Sequence, residues 1–376
     1  MTLPAVAGGP AVAPEGAPAT APAPAPIADG DGRPSLVVQT SFLGDTILTT
    51  PLVARLARRG PVDVVVTPAA APVLANNPGI RDLVAYDKRG DASGLTGLWR
   101  ASRELAARSA EAGGYRAAYL AQGSMRSATL ALLAGVRERV GFATSAGRPL
   151  YTRVVPFEED RHHAERLWRL GGPVPDDGLP AAEVRPRLYP GADDVGAVDD
   201  LLRAAGHAGE PLIALAPGSV WATQRWPYYR ELTRRLPSGA RPVVVGADAD
   251  TPLAREIADA GPPGHAIDLT GRLSLLGSAE VIARCVAIVT NDSAPLHLAS
   301  AMATPTIAVF GPTVPEFGFG PLAPRSATVG HSGLACRPCD RHGPRRCPLG
   351  HWHCMREISA DAVAGLVRDL TLTPSA

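Results

Sequence analysis

Aromatic residues, net charge and long hydrophobic runs are all scarce in this sequence. Phe, Trp and Tyr make up 5% of the 376 residues, too few to favour nucleic-acid binding by base stacking. The formal net charge is +1, so the chain also lacks the basic excess that attracts a polyanion. No apolar stretch approaches the ~18–20 residues that a membrane-spanning helix needs. We therefore expect neither a nucleic-acid partner nor a transmembrane segment.

A secretion signal is also missing at the start of the chain. Residues 1–33 have no basic n-region, and Pro and Gly interrupt any apolar core. Their richness in Ala and Pro predicts a disordered tail. Without export, the five cysteines are expected in a reducing compartment, where disulfides are not the default. The sequence therefore predicts a cytoplasmic protein.

What the sequence does contain is a regular alternation of short apolar runs and amphipathic segments. It begins with Ser35 to Gln39, is interrupted by a Pro-, Gly- and Asp-rich stretch over residues 171–192, and then starts again. Such alternation is typical of α/β folds with parallel sheets, and the chain is too long for one typical core. We predict two α/β domains, residues 34–185 and 186–376, with a ligand-binding cleft between the carboxyl ends of their strands.

The first strand-to-helix junction, QTSFLGDTILTTP over residues 39–51, carries an acidic residue. Gly44 is expected to permit a tight turn there. Asp45 would then face the cleft, where its carboxylate can take a proton from a substrate hydroxyl. The alternative is that Asp45 only caps the helix that follows.

A second junction, VTNDSAPLHLASAMATPTIAVFGPT over residues 289–313, groups Asp292, Ser293 and His297 where a buried strand becomes a helix. Unpaired N–H groups and the positive end of the helix dipole make a helix start an anion site. Ser293 and the amides after it are candidates to hold an anion, and Asp292 to bind sugar hydroxyls. His297 is either a polar group on the cleft floor or a structural residue.

Two further junctions carry weaker signals. APGSVWATQRWP, residues 216–227, offers Ser219 as a phosphate donor and Arg225 as a charge, although it lacks the GxxxxGK[ST] pattern of a P-loop. Its alternative is an ordinary loop with an aromatic anchor. VVVGADAD, residues 243–250, places Asp248 just past a strand, as acidic ribose-binding residues are placed.

The segment CRPCDRHGPRRCPLGHWHC, residues 336–354, concentrates thiols, imidazoles and arginines. Thiolates and imidazoles at this density can bind zinc tetrahedrally. Unligated thiols and disulfides are the alternatives, because the spacing is not a clean CxxC…CxxC. The basic side chains fit contact with an acidic substrate or a membrane surface, and the alternative is an ordinary solvated loop. The candidate metal ligands are Cys336, Cys339, Cys347 and Cys354.

Together these stretches resemble glycosyltransferase family 9, the ADP-heptose:lipopolysaccharide heptosyltransferases, and most closely the heptosyltransferase II type. The resemblance covers roughly residues 36–370. It implies a GT-B fold, in which an N-terminal acceptor domain and a C-terminal nucleotide-sugar domain, both Rossmann-like, face a central cleft. It also implies inverting transfer of L-glycero-D-manno-heptose from ADP-heptose to the Kdo/heptose-lipid A core of lipopolysaccharide, with no catalytic cofactor. A lipid-linked acceptor implies peripheral attachment at the inner face of the inner membrane.

The resemblance also implies roles for individual residues. Asp45 is the implied general base, and the loop from Ser219 to Arg225 faces the diphosphate. Asp248 is the counterpart of a ribose-binding acid. The implied lining of the donor site is Asp292, the amides of Ser293 and Ala294, and His297.

Position 224 departs from the family pattern. The family usually has Lys there, and this chain has Gln224. A neutral glutamine cannot neutralise the leaving ADP, so Arg225 is the expected substitute. The open alternatives are a catalytically weakened nucleotide-sugar-binding protein, an epimerase of the same architecture, and a transferase with another sugar donor. A nicotinamide dehydrogenase is disfavoured because no GxGxxG opens either half.

Overall fold

The computed structural model describes residues 32–90, 93–176 and 178–372. All but the last two residues of the predicted N-terminal tail lie outside these ranges. The described chain forms two parallel six-stranded sheets with helices packed against them. None of its described helices is long and apolar enough to cross a bilayer.

The first sheet lies in the N-terminal half of the chain. Its strands are β1 (Ser35–Gln39), β2 (Val62–Val66), β3 (Asp82–Ala85), β4 (Ala118–Leu120), β5 (Arg139–Phe142) and β6 (Arg153–Val155). They pair in the order β3-β2-β1-β4-β5-β6. Every residue of β1 and β2 is buried, because helices cover both faces of the sheet. A parallel strand covered on both faces is mostly apolar, and both strands are Val-rich, although β2 also buries Asp63.

The helices of this half are α1 (Leu43–Leu48), α2 (Thr50–Ala57), α3 (Gly94–Glu111), α4 (Met125–Leu133), α5 (His163–Leu170) and α6 (Ala181–Val184). The first two follow each other directly, with only Thr49 between them. The short α6 lies inside the stretch that the sequence marks as a linker.

The second sheet repeats the same topology. Its strands are β7 (Leu212–Ala216), β8 (Arg241–Val244), β9 (Ile267–Asp268), β10 (Cys285–Asn291), β11 (Thr306–Phe310) and β12 (Ser326–Gly330), in the order β12-β11-β10-β7-β8-β9. The helices are α7 (Ala192–Ala204), α8 (Tyr229–Thr233), α9 (Thr251–Ala258), α10 (Leu275–Ala283), α11 (Ala294–Met302), α12 (His353–Arg356) and α13 (Ala360–Leu372).

Both sheets reverse their strand order at an inner pair, between β1 and β4 and between β7 and β10. In open α/β sheets, the ligand crevice lies at this switch point, outside the carboxyl ends of the strands. The segments that follow β1, β7 and β10 line common cavities between the two halves. The prediction of a parallel α/β fold with a central cleft is therefore confirmed.

Candidate active site

Two adjoining cavities lie at the switch points. We call the first the small cavity; it has a volume of about 210 Å³ and includes Asp45, Gln224, Asp292 and His297 in its lining. The large cavity, of about 700 Å³, extends past the ends of β7 and β8 and is mostly apolar. Leu43, Ser219, Val220, Ser293 and Ala294 line both. The structure therefore brings together the predicted site residues from three separate junctions.

Asp45 is the third residue of α1 and does not cap it. The N-cap residue is Phe42, and no side chain makes a capping hydrogen bond there, so the capping interpretation is wrong. The Ser41 hydroxyl donates to Asp45 Oδ2 at 2.6 Å, and His163 Nε2 lies 3.8 Å from Oδ1. With 18% of its side chain exposed, Asp45 is held in place yet open to the small cavity.

His163 is a site residue that sequence reasoning missed. It is the first residue of α5, 118 positions after Asp45, and its ring packs 5.0 Å from that of Phe319. Burial lowers the pKa of His163, although the nearby Asp45 carboxylate opposes this. No motif in the sequence pairs these two residues, because only the packing of α5 against α1 brings them together.

Gly44 serves a different purpose from the predicted turn. It lies within α1, and a Cβ placed on it would come 2.7 Å from Cδ2 of His297. The glycine therefore permits α1 to approach α11 across the cleft. His297 is buried, and burial lowers its pKa to about 3, so its imidazole is neutral at pH 7.

Gln224 forms a polar network with Asp292. Its Nε2 donates to Asp292 Oδ2 at 3.1 Å, and its Oε1 accepts from the Ser219 hydroxyl at 2.8 Å. The Thr313 hydroxyl also donates to Asp292 Oδ2, at 2.7 Å. Burial raises the pKa of Asp292, while the hydrogen bond from Thr313 opposes that rise. The Asp292 carboxylate is thus held by the neutral side chains of Gln224 and Thr313. A lysine at position 224 would instead have put a positive charge beside it.

The start of α11 faces both cavities. Ser293 is its N-cap, with an extended backbone and no side-chain capping bond, and Ala294 begins the helix. The amides of these two residues are unpaired by the helix geometry and carry the positive end of its dipole. Asn291, which sequence reasoning did not single out, fixes the neighbouring loop, since its Nδ2 donates to Pro217 O at 2.8 Å and its Oδ1 accepts from Trp226 N at 3.1 Å.

The segment after β8 carries two acidic residues, Asp248 and Asp250, which differ in their position relative to the cavities. Asp248 is exposed and lines neither cavity, whereas Asp250 lines the large one. A 3₁₀ turn over Asp248–Asp250 turns the first carboxylate outward and the third inward. The Ala247 amide donates to Asp250 Oδ2 at 3.0 Å.

Arg225 lines the large cavity and not the small one. Its Nε donates to the Ser219 carbonyl at 2.9 Å, and its side chain is exposed. It therefore lies beside the loop predicted to face a diphosphate, but it does not line the small cavity that contains Asp45.

The predicted zinc site is not supported. Among the described residues, which include all five cysteines, no group of three or more His, Cys, Asp or Glu side chains is arranged to hold a metal ion. The five thiols are free. Cys339 Sγ donates to the Cys336 carbonyl, and burial raises the pKa of Cys354 to about 11, which favours the thiol over the thiolate that a metal needs.

The Cys-rich segment contributes to the site in another way. Arg341 and His342 line the small cavity, and the His342 ring lies 5.8 Å from that of Phe42, across the cleft. The sequence marked this segment as basic but gave no signal of which arginine faces the cleft.

Comparison with known proteins relates this geometry to a family. The sequence profile of glycosyltransferase family 9 (heptosyltransferase) matches residues 103–353. Lipopolysaccharide heptosyltransferase 1 from Pseudomonas aeruginosa is 32% identical over 321 residues, which cover 81% of this chain and 85% of that protein. The relatives include both heptosyltransferase 1 and heptosyltransferase 2 proteins.

Solved structures of low sequence identity share the fold. The ADP-heptose lps heptosyltransferase II of E. coli has a TM-score of 0.72 at 23% identity, with 90% of this chain and 98% of that chain covered. The family 9 glycosyl transferase of Veillonella parvula has a TM-score of 0.78 at 22% identity, with 91% and 98% covered. The predicted GT-B fold is confirmed. On its sequence and its fold, the chain belongs to glycosyltransferase family 9 and is a glycosyltransferase.

Proposed function

We propose that this enzyme transfers L-glycero-D-manno-heptose from ADP-heptose to the inner core of lipopolysaccharide, with inversion at the anomeric carbon. The observation that carries the proposal is the small cavity, whose lining includes both Asp45 and the start of α11 at Ser293 and Ala294. A base on one side and an anion site on the other are what a single displacement needs. The names of the relatives, lipopolysaccharide heptosyltransferases, support heptose as the sugar.

In this mechanism Asp45 is the general base. The acceptor hydroxyl gives its proton to the carboxylate while its oxygen bonds to C1 of the heptose. The C1–O bond to the diphosphate breaks on the opposite face, and ADP leaves with the bonding electrons. Ser41 and His163 orient the carboxylate by contacts at 2.6 and 3.8 Å. Because attack and departure occur on opposite faces, the configuration at C1 inverts.

The nucleotide half of the donor would lie in the large cavity. Its apolar lining suits the adenine ring, and Asp250 takes the ribose-binding role first expected of Asp248. The diphosphate would lie at the shared wall, against Ser219, Ser293 and Ala294. Backbone dipoles there stabilise the leaving group, so no step of the mechanism requires a metal or another cofactor.

We further propose that residues 34–185 bind the acceptor and residues 186–376 the nucleotide sugar. The acceptor is lipid-linked, so the enzyme would work at the inner face of the inner membrane as a peripheral protein. The N-terminal half offers a surface for this contact. On α3, Leu95 is 83% exposed and Trp99 60%, and the Arg103 guanidinium lies 5.5 Å from the Trp99 ring centre. Exposed Trp and Leu beside Arg are typical of proteins that bind anionic membrane surfaces.

The first test is to incubate the protein with ADP-heptose, with and without a heptose-deficient lipopolysaccharide core, and to follow ADP release and acceptor mass. Acceptor-dependent gain of one heptose would support the transferase. A changed sugar without acceptor would indicate an epimerase. ADP binding without transfer would favour a binding protein or another donor sugar.

The second test addresses Asp45. Asp45→Asn should lower kcat by about 10²–10⁴-fold, the usual contribution of a general base, while ADP affinity stays nearly unchanged. Asp259→Asn is the matched control, because Asp259 is exposed at the end of α9 and lines neither cavity. Near-wild-type turnover of the Asp45 variant would remove this residue from the role of base.

A further inference from the structure

The small cavity is short of positive charge for the reaction proposed above. Two carboxylates, Asp45 and Asp292, line it, and position 224 holds a neutral glutamine. His297 adds no charge at pH 7 because burial lowers its pKa to about 3. A diphosphate that gains negative charge as it leaves would be repelled by these carboxylates unless a cation lies beside it.

Arg225 does not meet this need, because it lines the large cavity and its Nε is bonded to the Ser219 carbonyl. Among the described residues that line the small cavity, Arg341 is the only arginine or lysine. It comes from the Cys-rich segment, 117 positions after Gln224 in the chain.

The backbone around Arg341 is fixed beside position 224. The Arg337 guanidinium donates to the carbonyls of Gly311 at 2.7 Å and Thr313 at 3.0 Å, and the Cys339 amide donates to Pro312 O at 2.9 Å. The segment is thereby tied to the loop that follows β11, whose Thr313 holds Asp292.

A second set of contacts ties the other end of the segment to position 224 itself. The Thr223 hydroxyl donates to the Pro344 carbonyl. Gly343 packs so closely that a Cβ placed on it would lie 3.4 Å from Cγ of Gln224. Arg341 is therefore carried on a segment held from both sides at the missing lysine's position.

Arg341 has no charged or hydrogen-bonding partner in the part of the chain that the structure describes. The structure gives its guanidinium no hydrogen bond or ion pair with a described residue, and its electrostatic neighbours include the cation Arg166. We propose that Arg341 binds the diphosphate of the donor and supplies the positive charge that Gln224 does not. This inference rests on the proposed function and names the residue that stabilises its leaving group.

The test compares ADP and adenosine binding by calorimetry in Arg341→Gln and in Arg345→Gln. Arg345 is an exposed arginine of the same segment that lines neither cavity, so its variant is the matched control. Arg341→Gln should weaken ADP binding about 10- to 100-fold, the loss typical of a hydrogen bond to a charged group. Adenosine binding should not change in either variant, because adenosine has no phosphate.

A rescue variant distinguishes the loss of the Arg341 charge from a loss of folding. If the two positions supply the same charge, Gln224→Lys should restore ADP affinity to Arg341→Gln. Turnover should follow the same pattern, with kcat lower by about 10²-fold in Arg341→Gln. Loss of folding alone would lower adenosine binding as well, and Gln224→Lys would not repair it.

The outcomes distinguish this inference from the proposed function. Unchanged ADP affinity in Arg341→Gln, or a change confined to the KM of the acceptor, would overturn the inference even if the wild type transfers heptose. Arg341-dependent ADP binding in a protein that transfers no heptose would support the inference and overturn the proposed donor sugar. A wild type that binds no ADP would overturn both.

Discussion

Gly44→Ala is the substitution whose effect the structure predicts most directly. The added Cβ would lie 2.7 Å from Cδ2 of His297, whereas ordinary contact begins near 3.4 Å, so one of the two must move by about 0.7 Å. His297 is buried, so its ring has little free space to move into. Overpacking of this kind costs about 1–3 kcal/mol of folding free energy. The higher helix propensity of alanine offsets up to about 1 kcal/mol of this cost.

The fall in kcat should be larger than the loss of folding stability alone would cause. Asp45 is the next residue in α1, so relief of the clash displaces the proposed base from its place near His163. Misplacement by about 1 Å can cost roughly 10²-fold in rate. We expect Gly44→Ala to lower kcat by about 10- to 100-fold and the free energy of unfolding by up to about 2 kcal/mol.

Urea unfolding and steady-state kinetics measure these two effects. The matched control is Gly196→Ala in α7, where a Cβ meets nothing within 4 Å, and this variant should gain stability. Gly44→Ala/His297→Ala should recover much of the lost stability, because the ring that clashes is gone. A Gly44→Ala enzyme with wild-type kcat and stability would refute the close-approach reasoning.

Two further predictions concern pH and the membrane. Burial lowers the pKa of His162 to about 4 and of His297 to about 3. Below pH 6.5 the unfolded chain therefore binds more protons at these residues than the folded chain does. As pH falls from 6.5 to 4, each histidine should lower the free energy of unfolding by up to about 1.4 kcal/mol per pH unit. Unfolding curves across that range check this, and a flat profile would contradict it. The double variant Leu95→Ser/Trp99→Ser should sediment with anionic phospholipid vesicles several-fold less than the wild type. Val286→Ser, a change at a separate exposed apolar residue, is the control and should sediment like the wild type. Equal binding by all variants would place the membrane contact elsewhere.

The sequence by itself determined where the chain's central strands lie and which junctions carry chemistry. A strand buried on both faces is mostly apolar, so β1, β2, β7 and β10 are visible as runs rich in Val, Ile, Leu and Ala, although β2 also buries Asp63. The polar residues after these strands face one cleft because parallel strands present their carboxyl ends at one edge. Asp45, Ser219 and Asp292 could therefore be predicted as neighbours although they are far apart in the chain.

Outer strands were harder to predict. The short strands β3, β6 and β12 lack a long apolar run, and in β12 residues alternate between exposed and half-buried. An outer strand need not bury both faces, so its sequence loses the continuous apolar signal that marks a central strand.

Only the tertiary structure decided which side chains complete the site. His163 reaches Asp45 through the packing of α5, and Arg341 reaches the small cavity because a distant segment is tied to the loops at positions 223 and 313. The turn over Asp248–Asp250 selects the second acid over the first for the large cavity. Local patterns encode strands and helix starts, whose causes lie within a few residues. Contacts between side chains more than a hundred positions apart depend on how the elements pack, and no local pattern records that.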